Sequence, residues 1–110
     1  MAGVSGKTFR VSATLQDVLA AQLRRGERLL REAGIVGDTE GHQLWQLKRL
    51  SWSVETVSLL ADAGAALGTV HTFEHAVAPP ASETGYFEAL PLEVECVREG
   101  IEVLERLKGE

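Results

Sequence analysis

Hydrophobic residues in the middle of the chain recur every seven positions, in two interleaved series. Trp45, Trp52, Leu59, Ala66 and Phe73 form the first, flanked by Ala63, Val70 and Val77. Leu47, Val54, Ala61, Gly68 and His75 form the second, flanked by Leu50, Val57, Gly64 and His71. At about 100° per residue the two series fall on nearly opposite sides of a helix. A helix that is apolar on two faces has to be covered on both. One face is expected to take the first helix of the chain, the other a third helix or a neighbouring subunit.

Asp38 or Thr39 suits the N-cap of this segment, and the periodicity then runs to Val77 without a proline. A single continuous helix of that extent, the first expectation, would be roughly 57 Å long. Gly64 and Gly68 supply the alternative, since each costs about 1 kcal/mol relative to Ala inside a helix. In that case two helices split near Gly64. Sustained seven-residue spacing favours shallow, bundle-like crossing angles.

The flanking segments complete an all-α reading. Thr14 followed by Asp17 is a variant of the capping box. Leu15, Val18, Leu19, Gln22, Leu29, Leu30 and Ala33 then recur at helical spacing up to Gly34, a stop signal, so a helix is expected from about Leu15 to Ala33. Ala78-Pro79-Pro80-Ala81 ends the central segment, because proline lacks the amide donor and restricts the residue before it. Tyr86, Phe87 and Leu90 give the following linker enough apolar weight to pack back, and Ser82 can cap a short turn there. Pro91 suits the first turn of a last helix, with Val94, Val97, Ile101 and Leu104 as its stripe. Thr8 to Ala13 alternates and reads as a short extended segment, needing a second copy to pair with or a helical surface to lie on. Residues 1–13 are thus expected as a flexible or extended N-terminal segment and 14–110 as one helical domain of about three helices.

Composition narrows the function classes. Hydrophobic residues make up 45% and charged residues 25%, ordinary globular usage that argues against disorder. The net charge of −5 argues against a general nucleic-acid binder, which wants basic surface. Arg24, Arg25, Arg28 and Arg31 are the local exception. Interleaved with Glu27 and Glu32, they read first as a solvated helix face and otherwise as a dock for an acidic surface. Residues 88–110 carry net −4 and residues 15–33 net +1, a bias suited to choosing which helices lie side by side. The single cysteine, Cys96, suits a reducing compartment and reads as a small buried residue rather than a nucleophile. The first residues lack the apolar core of a signal peptide and no apolar run spans a membrane, so a cytoplasmic location is the default expectation.

One motif carries chemistry of its own. His71-Thr72-Phe73-Glu74-His75 has the form H-x-x-E-H, which places two histidines one helical turn apart with a glutamate beside them. Over these five residues the chain resembles the inverzincin zinc peptidases. That resemblance implies His71 and His75 as metal ligands, Glu74 as the base that activates water, and a distal acidic ligand drawn from Glu88, Glu93, Glu95 or Glu99. The competing reading makes His71 and His75 seam residues between helices. Di-iron chemistry of the E-x-x-H type lacks its ligands, since Gly68, Thr72 and Thr39 stand three residues before the histidines.

The sequence therefore predicts a small antiparallel helical bundle with a long central helix, completed by oligomerisation, a dimer being the first expectation. The expected function is a non-catalytic assembly, adaptor or regulatory module that binds protein, itself or another helical protein, through helix faces. Trp45, Trp52, Leu59 and Phe73 are the interface candidates, because Trp is favoured at interface hot spots. The alternatives are a zinc site at His71, Glu74 and His75, and an apolar ligand pocket lined by Trp45, Trp52 and Phe73.

Overall fold

The computed structural model of the chain describes residues 14–78 and 86–109. Among them are four helices and no strand: α1 (Leu15–Ala33), α2 (Thr39–Asp62), α3 (Leu67–Val77) and α4 (Tyr86–Gly109). The extended segment expected at Thr8 to Ala13 and the turn expected at Ser82 lie outside the described residues.

α1 has the expected bounds. The Thr14 hydroxyl accepts from the Asp17 amide at 3.1 Å, which satisfies one of the free donors of the first turn. The end of the helix differs from the expectation, because Gly34 stays right-handed at φ −68°. Termination comes instead from a run of tight i→i−3 bonds, Gly34 to Arg31, Ile35 to Glu32 and Val36 to Ala33. Asp38 then opens α2 by accepting from the Gly41 amide at 2.7 Å.

The continuous central helix is overturned. α2 ends at Asp62, and Gly64 takes the left-handed conformation with φ +88°. Ala65 donates to the Leu60 carbonyl at 3.0 Å and Gly64 to the Ala61 carbonyl at 3.1 Å. These are the two bonds of a Schellman cap. Only glycine enters this conformation without a steric penalty, so the break falls at Gly64 and not at Gly68. The chain turns back after it, and α3 lies beside α2 rather than extending it.

The last helix also starts earlier than expected. Pro91 is its sixth residue, not one of its first turn, and the helix continues through it.

Folding back at Gly64 gives a four-helix ring in place of the expected three. α1 packs on α2 and α4, α3 packs on α4 and α2, α2 and α4 touch little across one diagonal, and α1 and α3 do not meet across the other. Contacts fix the directions. Trp45 donates to the Leu29 carbonyl while Gln22 reaches Thr56, so α1 and α2 are antiparallel. His42 meets Glu93 and Trp52 lies against Gly100, so α2 and α4 run the same way. The order is up-down-up-down.

Trp52 sits where all four helices converge. It is 1% exposed, donates to the Gln22 carbonyl of α1 at 2.9 Å, and meets the Phe73 ring of α3 edge to face at 5.5 Å. Its ring also lies against Gly26 of α1 and Gly100 of α4. A β-carbon at Gly26 would fall 2.8 Å from Trp52, and one at Gly100 would fall 2.5 Å from Val77 and 3.3 Å from Trp52. Glycine at these two positions admits the indole between helices. Leu19, Leu60, Val97 and Leu104 pack around this centre.

Candidate functional site

α2 carries three stripes rather than two. Its inward arc is half apolar, with Trp45, Trp52 and Leu60 buried and Leu59 half-buried. The other half is polar: His42, Gln46, Arg49, Ser53 and Thr56, spaced by four and three, are buried or half-buried. That spacing repeats every seven residues, as the apolar stripes do, and is the signal in the sequence that could have revealed it. Apolar periodicity alone misses the set.

The polar stripe is organised by Glu93, which α4 turns inward. Glu93 is 4% exposed, so it does not belong to the acidic outer face where its neighbours Glu95 and Glu99 lie. One carboxylate oxygen lies 2.5 Å from Nε2 of His42. The other accepts from Gln46 at 2.6 Å and stands 3.7 Å from the Arg49 guanidinium. Arg49 also donates weakly to the Val77 carbonyl, at 3.5 Å, and its buried Nε has no hydrogen-bond partner. One turn further along, Gln22 of α1 donates to the Thr56 hydroxyl at 2.7 Å and accepts from Arg25. Burying a carboxylate and a guanidinium is costly unless they meet each other and further donors. Such a cluster therefore fixes the register of α2 against α4.

The outer arc of α2 is the reverse case. Leu47, Leu50 and Val54 are 64%, 54% and 61% exposed, Ala61 is exposed and Val57 half-buried. These five positions project within about 80° of one another. Leu44, 59% exposed, lies at the edge of the same surface. The second seven-residue series is thus uncovered along α2, while the first is the core.

That assignment moves the interface candidates. Trp45, Trp52 and Phe73 are 3%, 1% and 0% exposed, and Leu59 packs against the same core. Trp45, Trp52 and Phe73 leave no surface to offer a partner, because α1 covers Trp45, and folding at Gly64 brings Phe73 of α3 onto Trp52. Nor do they line an apolar ligand pocket together: Phe73 packs directly on Trp52.

His71, Glu74 and His75 are all exposed on α3. They face solvent and not a helix seam, since Phe73 and Val77 hold the inner side. Glu93, one of the four candidate distal acids, is engaged by His42 and Gln46. Among the described residues no group of three or more His, Cys, Asp or Glu side chains comes together to hold a metal ion.

The arginines of α1 are mostly exposed, and their ion pairing runs across to α2. Arg25 pairs with Glu55, and Glu32 with Lys48 at 3.5 Å. The charge bias between α1 and α4 therefore does not choose neighbours by direct pairing. Cys96 is half-buried and donates to the Ala78 carbonyl at 3.3 Å. Burial pushes its thiol above the ordinary 9.0; the Arg49 charge opposes the rise, and Glu99, Glu93 and Glu95 add to it. A thiol held protonated is a poor nucleophile. No helix among the described residues is long and apolar enough to cross a membrane. No family model, curated protein or solved structure matches the chain.

Proposed function

We propose that this chain is a non-catalytic assembly module that binds protein through a helix face, and that the face is the outer side of α2, docked on a second copy. The observation that carries this reading is the stripe Leu47, Leu50 and Val54, more than half exposed on a helix whose inner side already meets a complete core. With Leu44 they leave on the order of 400 Å² of apolar surface in water, as much as the largest patch of a typical monomer. The core of the described residues does not require these positions to be apolar, and docking on a second copy accounts for their character.

Two copies joined on this stripe would bury on the order of 900 Å² before their flanks are added, close to the roughly 1,200 Å² at which stable interfaces begin. The test is the mass in solution of the wild-type chain and of Leu47→Glu with Val54→Asp. The wild type is expected at a multiple of 11.9 kDa and the double variant at 11.9 kDa. Both substituted sites are exposed, so the variant keeps its helical spectrum and a cooperative melting transition, lowered only by the stabilisation that association gives the wild type. A wild type that stays at 11.9 kDa at every concentration, or a variant that keeps the wild-type mass, refutes the proposal.

A further inference from the structure

Resting on that reading, we infer that the two copies meet antiparallel along α2, about a twofold axis that passes beside Val54. Three features of the stripe point there.

The first is charge. Positions 47, 50, 51, 54, 57, 58 and 61 are all uncharged, in a chain that is 25% charged and carries net −5. Two copies of one acidic chain repel each other, and the stripe itself sets no like charges against one another, with Arg49 and Glu74 standing only at its α3 margin.

The second is taper. Along α2 the stripe narrows from Leu47 and Leu50, through Val54, to Val57 and Ala61. An antiparallel copy centred on Val54 sets Leu47 opposite Ala61, Leu50 opposite Ser58 and Val57 opposite Ser51. Large then faces small at each level, which keeps the helix axes evenly spaced. A parallel copy would set leucine against leucine at one end and alanine against alanine at the other, leaving a wedge-shaped gap.

The third is a hole at the required height. A groove of about 260 Å³ is lined on α2 by Arg49, Leu50, Ser53, Val54 and Val57, with Glu74, Val77 and Ala78 along its far side. Residues at i, i+3, i+4 and i+7 form the four-cornered hole that receives a knob in helix packing. Its centre along the helix is level with Val54, so the second copy's Val54 enters it, and the symmetry returns the same contact.

Disulfide crosslinking in a Cys96→Ser background tests this, with Val54→Cys, Leu47→Cys and Ala61→Cys made separately on that background. Serine keeps a donor for the Ala78 carbonyl. On the twofold axis, Val54→Cys should shift almost completely from 11.9 kDa to twice that on a non-reducing gel. Leu47→Cys alone should remain single, because the two copies of residue 47 would lie about 21 Å apart along the helices, beyond disulfide reach. Leu47→Cys mixed with Ala61→Cys should give the doubled band. Self-crosslinking of Leu47→Cys as readily as Val54→Cys means parallel pairing and overturns the antiparallel axis. An assembly of doubled mass that Val54→Cys fails to crosslink overturns the axis while the assembly reading stands. A wild-type chain at the single mass removes both.

Discussion

Replacing Gly100 by Ala tests whether the core is closed around Trp52 as tightly as the packing implies. The added methyl would stand 2.5 Å from a Val77 methyl, 3.2 Å from the Phe73 ring and 3.3 Å from Trp52. Two of these neighbours cannot retreat: Phe73 is 0% and Trp52 1% exposed, and Trp52 is tethered to the Gln22 carbonyl. Val77 can turn, but a β-branched side chain in a helix has one strongly preferred rotamer, and leaving it costs about 0.5–1.5 kcal/mol. Overpacking of this kind costs about 1–3 kcal/mol. Alanine regains about 1 kcal/mol over glycine as a helix former. The expected net loss is therefore up to about 2 kcal/mol. Gly68→Ala is the internal control. It lies in α3 with nothing within 4 Å of the added carbon, so only the propensity gain remains and the variant should be more stable than wild type by up to about 1 kcal/mol. Urea unfolding followed by far-ultraviolet circular dichroism measures both, read as opposite shifts in midpoint at constant slope. If Gly100→Ala unfolds at or above the wild-type midpoint, α4 does not close on Trp52, and the argument for the core is wrong.

Other expectations follow from single contacts. Gly64→Ala should cost about 1–2 kcal/mol by the same assay, because its φ of +88° is left-handed although the space around it is open. A cost near zero would mean the α2–α3 turn can be made another way. Glu93→Ala should cost about 3–5 kcal/mol, since it leaves Arg49 buried without its countercharge and removes the acceptor of Gln46 and the carboxylate beside His42. Arg49→Met combined with Glu93→Leu should recover much of that loss, and failure to recover would show that the cluster is not acting as a charge pair. Cys96 should react more slowly with an aromatic disulfide reagent at pH 8 in the folded chain than in urea. With its folded pKa raised, its contribution to stability is full below the unfolded value of 9.0 and is lost as pH rises toward the folded one. Equal rates folded and unfolded would refute the burial argument.

The features legible in the sequence were those set by local chemistry. Thr14 and Asp38 cap the helices they were expected to cap, because a short side-chain acceptor before a helical run satisfies amides that nothing else reaches. The seven-residue spacing of Trp45, Trp52 and Phe73 held because it spans a real inner surface, even across the break. What the spacing left open was the break itself. Gly64 and Gly68 cost the same as helix residues, and the choice between them rests on the left-handed turn that only the folded α3 rewards, through Val70, Phe73 and Val77 in the core.

The inner and outer faces of α2 were harder to separate for a more general reason. Hydrophobicity told the reading that Leu47, Leu50 and Val54 belonged to a contact, not which contact, and tryptophan's reputation as an interface anchor drew that role toward Trp45 and Trp52. The polar stripe breaks the tie. Burying His42, Gln46 and Arg49 requires hydrogen-bond partners and, for Arg49, a countercharge, and Glu93, in the apolar register of α4 four residues before Val97, meets all three. Once those polar residues are assigned inward, their neighbours Trp45 and Trp52 on the adjoining arc go inward with them, and the stripe across the helix is left outside. A buried ionic cluster of this kind adds little net stability over an apolar one. Its physical effect is selection: α2 rolled to bury the leucine stripe would bring Arg49 out, strand Glu93 in the core, and expose two tryptophans. The same contacts that orient the core therefore leave the apolar stripe of α2 on the outside.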